Sequence, residues 1–224
     1  MDIRIISIGT LSQHELWPAD QGSARTAHAT TTLVRSGDHV ILVDPGLPPQ
    51  VIAARLTERT GLNPSAITDV FLTNFRPAHR WGLPAFEQAR WFISEAEREF
   101  VGLSLIEQLK QQDDPEITKL LEQDIALLKR CKPAPDRLAP QVDLFPLPGF
   151  TPGTCGLLLG QTTCTTLIAG DAVATAEHLE QGRVLRRAGD VAQARESLTE
   201  AIEIADVIVP GHDNLVLNPT RRSF

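Results

Sequence analysis

The chain has 224 residues, 42% of them apolar, with 21 Lys and Arg against 28 Asp and Glu for a formal net charge of −7. That is enough apolar material for a core, which rules out disorder along the whole length. An acidic balance with no basic block argues against nucleic acid as a partner. No apolar run approaches the ~20 residues that cross a bilayer, so no membrane association is expected.

In chain order, Ile3 to Ile8 reads as a strand, and it lacks the basic front and small-residue cleavage site of a leader peptide. Leu11 to Ala27 is a long Ser/Gln/Gly/Ala-rich surface loop. Thr30 to Arg35 and His39 to Val43 are strands, joined by a hairpin turn at Ser36-Gly37-Asp38. Asp44-Pro45-Gly46 stops the second strand, and Gln50 to Thr60 has helical spacing closed by Gly61. Ile67 to Thr73 is a short strand leading into a polar loop, and Arg90 to Ile93 is another. Ser94 with Glu97 forms a capping box. Helical spacing then runs to Cys131 and divides near Asp113-Asp114-Pro115, because proline suits a first turn and not an interior. Strands resume at Val142 to Leu147, Cys155 to Leu159 and Thr165 to Ile168, and a helix over Val191 to Ala205 precedes the strand Val207 to Pro210. The pattern is α/β, a layered sandwich with helices outside. Three cysteines, Cys131, Cys155 and Cys164, cannot all pair and none sits in a CxxC, so a reduced, cytoplasmic setting is expected.

Five loop segments, in order, carry a resemblance: Ile41-Leu42-Val43-Asp44-Pro45-Gly46, Thr73 to Gly82, Pro148-Gly149-Phe150-Thr151-Pro152-Gly153, Ala169-Gly170-Asp171, and Pro210-Gly211-His212. Together they resemble the metallo-β-lactamase superfamily of metal-dependent hydrolases, nearly end to end. The resemblance implies a four-layer αβ/βα sandwich over residues 1–224 as one domain, with a helical insertion at about 94–131. The Ala-Asp-Val-Ile-Val-Pro-Gly-His end is similar to the small metallo-β-lactamase-domain-containing proteins.

The family's first motif is T-H-x-H-x-D-H-x-G. Here Asn74 and Arg76 stand at its first two histidines, Ala78 at its aspartate, and His79 at its last histidine. Phe150 replaces the histidine of P-G-H-T-P-G. The resemblance therefore implies that all three imidazoles of a first metal are lost, while His79, Asp171 and His212 remain from the second. Zinc needs nitrogen, sulfur or carboxylate donors. The main expectation is accordingly a dismantled dinuclear site, no cofactor, and a pseudoenzyme acting as a small-ligand-binding or scaffolding protein. The alternative is a mononuclear hydrolase of esters, thioesters or lactones, holding one zinc or iron ion on His79, Asp171 and His212.

Arg76 separates the two. At an effective dielectric of ~20, two unit charges ~4 Å apart interact by roughly 4 kcal/mol, and a dication doubles that. An inward Arg76 would thus oppose a metal and could form an ion pair with Asp171 instead. Asp44 is expected to be a turn residue supporting the site, and His178 a surface histidine with a lesser prospect of lining the cleft. Trp17 and Trp81 are expected at the cleft wall, and Trp91 in the core. Phe150 in place of an imidazole is expected to make the cleft more apolar, and an apolar pocket that contains an arginine suits a small anionic ligand with an apolar body. The apolar stripes between Ser94 and Cys131 allow either packing against the domain or a homodimer surface.

Overall fold

The Gly37-Asp38 turn closes a tight hairpin, with Ser36 paired to His39 and Gly37 at φ 56°. In the computed structural model, which describes residues 1–17 and 25–221, this hairpin is part of the first of two six-stranded sheets. The first contains β1 (Asp2–Ser7), β2 (Thr31–Ser36), β3 (His39–Val43), β4 (Asp69–Leu72), β5 (Arg90–Ile93) and β6 (Lys132–Pro133), in that order. The second runs from β7 (Arg137–Ala139) through β8 (Val142–Pro146), β9 (Cys155–Gly160), β10 (Thr165–Gly170) and β11 (Val207–Pro210) to β12 (Val216–Leu217). Strands β3, β4, β5 and β6 are mutually parallel, as are β10 and β11; the remaining pairs are antiparallel.

The helices are α1 (Pro49–Thr60), α2 (Pro77–Arg80), α3 (Glu95–Gln111), α4 (Pro115–Arg130), α5 (Ala176–Glu180) and α6 (Val191–Ile204). Their positions follow from strand alternation, which sends successive side chains to opposite faces. Ile41, Val43 and Phe71 face inward, where they meet Leu157, Leu159 and Ile168 of the second sheet. Leu42, Val70 and Leu72 point the other way and pack with Ile52 and Leu56 of α1 and with Leu105 and Leu128 of the α3–α4 pair. On the far side, Leu167, Ala169 and Ile208 pack against Leu198 and Ala201 of α6. Helix, sheet, sheet and helix thus form four layers, the αβ/βα sandwich. Burial on both faces explains why β3, β4 and β5 read as nearly continuous apolar runs.

The long helical stretch divides where the proline implied: Asp114 caps α4 through its carboxylate, which accepts from the Glu116 N–H, and Pro115 opens the first turn. The capping box at Ser94 is only half made. Ser94 Oγ accepts from the Glu97 N–H (3.1 Å), but the Glu97 carboxylate turns away and accepts from the Phe75 N–H and the Thr151 hydroxyl. Part of the expected Leu11 to Ala27 loop lies outside the described residues. Among the described residues, no helix is long and apolar enough to cross a membrane.

The two sheets meet closely where β10 ends. Gly170 adopts φ +55°, and a Cβ there would lie 2.4 Å from Thr73 Oγ1 and 2.6 Å from Thr73 Cβ. Gly170→Ala therefore combines left-handed strain with an overlap that cannot relax without moving β4 or β10. We expect it to lower unfolding stability by on the order of 2 kcal/mol or more, measured by urea titration. Wild-type stability in that variant would show that the sheets are less tightly apposed.

Candidate metal centre

Four strand ends deliver the site. Asp44 follows β3, Thr73 and Asn74 follow β4, Asp171 follows β10, and His212 lies two residues beyond β11. Chain reversal after β3 places Asp44 at φ 50°, a conformation that aspartate tolerates better than most residues. Its buried carboxylate then accepts from the Thr73 N–H (2.9 Å) and the Thr73 hydroxyl (2.7 Å), locking the β3 and β4 ends together. The same carboxylate lies 3.0 Å from His79 Nδ1. Helix α2, a single turn begun by Pro77, carries His79 into the interior, where it is wholly buried.

The other ring nitrogen, His79 Nε2, is 3.1 Å from Asp171 Oδ2. His212 approaches the same carboxylate from the opposite side, with Nε2 2.9 Å from Oδ1, while its Nδ1 is 3.0 Å from the His28 carbonyl oxygen. The Asn74 amide donates to Asp171 Oδ2 (2.9 Å), and Asn74 Oδ1 accepts from the Arg76 N–H (3.1 Å), which fixes the amide orientation. One potential ligand atom from each of His79, Asp171 and His212 lies within 4.8 Å of the others.

This geometry has an electrostatic consequence. A neutral imidazole carries a single N–H. A backbone carbonyl can only accept, so the His212 proton belongs on Nδ1, and the Asp44 carboxylate draws the His79 proton to Nδ1 in the same way. Both Nε2 lone pairs would then face the oxygens of one buried carboxylate. Such an arrangement calls for positive charge between them, either extra protons or a cation. Burial alone would favour neutral His79, but the Asp171 and Asp44 carboxylates outweigh it and raise the pKa from 6.5 to about 10. Burial likewise favours protonated Asp171, yet His79 and His212 hold its pKa well below 3.8.

A divalent ion fits this donor set. Two imidazole Nε2 atoms and one carboxylate converge, and both Nδ1–H groups are held by acceptors, the outer support characteristic of metal-binding histidines. The structure therefore does not support the expectation of a dismantled site, and it favours one zinc or iron ion over none. The pseudoenzyme reading loses its structural basis with it. The expected Arg76–Asp171 ion pair is also absent. Asp171 is already surrounded by Asn74, His79 and His212, and Arg76 lies instead on the Phe150 ring, 4.8 Å from Cζ to centroid, on the exposed side of the cleft.

The centre opens onto a cleft of about 450 Å³ whose walls include Trp17, Arg76, Ala78, Phe150, Leu185 and Arg187. Trp81 does not line it; its side chain is half exposed elsewhere, because a two-residue step along α2 turns it about 200° around the helix from His79. Trp91 lies in the core, donating to the Phe86 carbonyl. His178 is not on the surface. It is fully buried behind the cleft wall, with Nδ1 2.9 Å from Thr175 Oγ1 and Nε2 3.4 Å from Glu15 Oε1, and burial lowers its pKa. Thr73 and the His28 carbonyl escaped the sequence reading; a motif of side-chain types does not mark a carbonyl oxygen or a hydroxyl that merely orients another residue.

The sequence matches the family model of the metallo-beta-lactamase superfamily over residues 25–212, and the chain belongs to that superfamily. The match is to the superfamily as a whole and makes no assignment to the small domain-containing type. No curated protein matches the sequence. Among solved structures, a Thermotoga maritima protein described as a metallo-beta-lactamase is 20% identical with TM-score 0.69, covering 96% of this chain and 98% of its own. A Staphylococcus aureus protein described as a metal-dependent hydrolase is 14% identical with TM-score 0.70, covering 95% and 89%. The B. thuringiensis AiiA variant with N-decanoyl-L-homoserine bound at its active site is 18% identical with TM-score 0.65, covering 94% and 92%. At these identities the likeness is one of fold.

In protein stripped of metal, the His79 charge contributes to stability in a defined pH window. Its folded pKa is raised, so the contribution is complete below about 6.5 and is lost as pH rises towards about 10. The thermal midpoint of chelator-treated, dialysed protein should fall between those limits, and His79→Asn should flatten the fall. An unchanged slope in the variant would place the charge elsewhere.

Proposed function

We propose that this protein is a mononuclear metal-dependent hydrolase acting on an ester, thioester or lactone. One observation carries the reading: two imidazole Nε2 atoms, each with its Nδ1 already held by an acceptor, converge on a single buried carboxylate. His79, Asp171 and His212 would hold the ion. When bound, zinc or ferrous iron supplies Lewis acidity and lowers the pKa of water from ~15.7 to about 7.

The chain's own residues do the rest. Asp44 and the His28 carbonyl fix the two rings, so that each Nε2 is presented without a rotamer search. The Asn74 amide holds Asp171 by one oxygen, leaving Oδ1 to face His212. Ala78, standing where the family has a carboxylate, leaves the cleft floor beside His79 free of side-chain bulk. Leu11, Trp17 and Leu185 give the walls apolar surface against which an acyl group can lie and exclude bulk water. In the reaction, the oxygen of water bonds to the acyl carbon and the C–O or C–S bond breaks, giving a carboxylic acid and an alcohol or thiol. The structural likeness to the AiiA variant, which holds N-decanoyl-L-homoserine at its active site, and to an N-acyl homoserine lactone hydrolase with N-hexanoyl-L-homoserine at its metal centre, supports this substrate range.

Metal analysis of protein purified without chelator tests the reading. We expect about one zinc or iron per chain, lost in His212→Ala and Asp171→Asn together with turnover of p-nitrophenyl ester, thioester and lactone probes. Asp44→Asn should retain the ligands but weaken metal affinity by ~10–100-fold, because His79 loses its orienting partner. A metal-free wild type with no turnover would instead favour the ligand-binding reading.

A further inference from the structure

We propose that the cleft contains a subsite for an anionic oxyacid group, a carboxylate or phosphate, formed by Arg76 and Arg187 beside the candidate metal centre. Combined with the hydrolase reading, on which this last step rests, the substrate is an acyl compound that carries its own negative charge.

The argument is one of unmatched charge. Among the described residues, three arginines line the cleft: Arg76, Arg186 and Arg187. Arg186 is already neutralised, with Nε 3.0 Å from Glu15 Oε2 and its N–H donating to Glu15 Oε1. The other acid lining the cleft, Asp171, is enclosed by Asn74 and two histidines. Among the described residues, neither Arg76 nor Arg187 pairs with a carboxylate. Among the described residues of a chain of net charge −7, the candidate active-site cleft thus presents two guanidinium groups without a carboxylate partner. Guanidinium offers a planar fork of donors that matches carboxylate and phosphate, and it is charged at every working pH.

Arg76 is also held in place. It lies against the face of Phe150, and the chain neighbour of each partner is tied to one buried acid: Glu97 accepts from the Phe75 backbone N–H (3.0 Å) and from the Thr151 side-chain hydroxyl. Glu97 therefore sets the spacing of the arginine and its aromatic platform, which explains why it leaves the capping box unfinished. An arginine stacked on a fixed ring loses less side-chain freedom when it binds an anion, so more of the contact energy remains as affinity.

Calorimetric titration of the full chain, stripped of metal and dialysed free of chelator, tests the subsite with glutarate, its neutral counterpart glutaramide, and inorganic phosphate. Glutarate or phosphate should bind and glutaramide should not; the tighter of the two anions identifies the group. Arg76→Gln and Arg187→Gln should each weaken anion binding by about tenfold, whereas Arg195→Gln, an equal charge change on the exposed face of α6, should not. In metal-loaded protein, Arg76→Gln should lower kcat/KM for mono-p-nitrophenyl glutarate by about tenfold more than for p-nitrophenyl butyrate. Equal binding of glutarate and glutaramide, or full affinity in both arginine variants, would overturn the subsite. Failure of ester turnover with anion binding intact would remove the hydrolase reading and leave the subsite standing.

Discussion

The structure depends on how one carboxylate is buried. Asp171 sits between two imidazoles and an amide, almost wholly buried at the floor of the cleft. A buried carboxylate stays ionised only where nearby positive charge and donated hydrogen bonds offset its desolvation. Here the offset comes from His79 and His212, and neither ring can move freely, since Asp44 and the His28 carbonyl hold the opposite nitrogens. The charge balance at Asp171 is therefore fixed by groups one layer further out. A proton on His79 and a metal ion on the Nε2 atoms are alternative answers to the same requirement, and they compete for the same lone pair.

The fold is arranged to make that cluster. Parallel strands β3 and β4 end side by side, as do β10 and β11, so the residues that follow them are brought together from distant parts of the sequence. Asp44 at φ 50° and Gly170 at φ +55° are the two backbone departures that let the loops turn tightly enough for contact. Left-handed conformations at such a junction persist because the surrounding bonds over-determine them. The two hydrogen bonds from Thr73 to Asp44 and the close packing of Gly170 on Thr73 do this from both sheets at once.

Much of this was legible in the sequence. Strands buried on both faces announced themselves as apolar runs, Pro115 marked the helix division, and the Gly37-Asp38 turn fixed the first hairpin. The short strands β6, β7 and β12 were not readable, because two or three residues carry no periodicity and form only where a longer neighbour offers its edge. His178 was read as a surface residue because its burial depends on Glu15, more than a hundred positions away. Arg76 was read as an inward charge seeking Asp171. Composition shows that a cation is present, but its direction depends on whether an aromatic face is within reach, and Phe150 lies in a loop distant in the chain. The persistence of the metal-type cluster was hidden for a related reason: counting missing ligands says nothing about how firmly the remaining ones are held.

The substitutions at Arg76 and Phe150 then acquire a joint meaning. Either alone would damage the pocket: a lone arginine there would oppose a metal ion and compete for Asp171, and a lone phenylalanine would leave an apolar wall facing a charged centre. Together they form a stack, which turns the guanidinium away from the ligands and covers the ring with a polar edge. The Arg76 side of the cleft therefore carries its positive charge as a planar fork of donors, the geometry that suits an oxyacid rather than a lone pair. Positive charge can thereby be held at two separate places, one built from imidazole and carboxylate, the other from arginine laid on an aromatic ring.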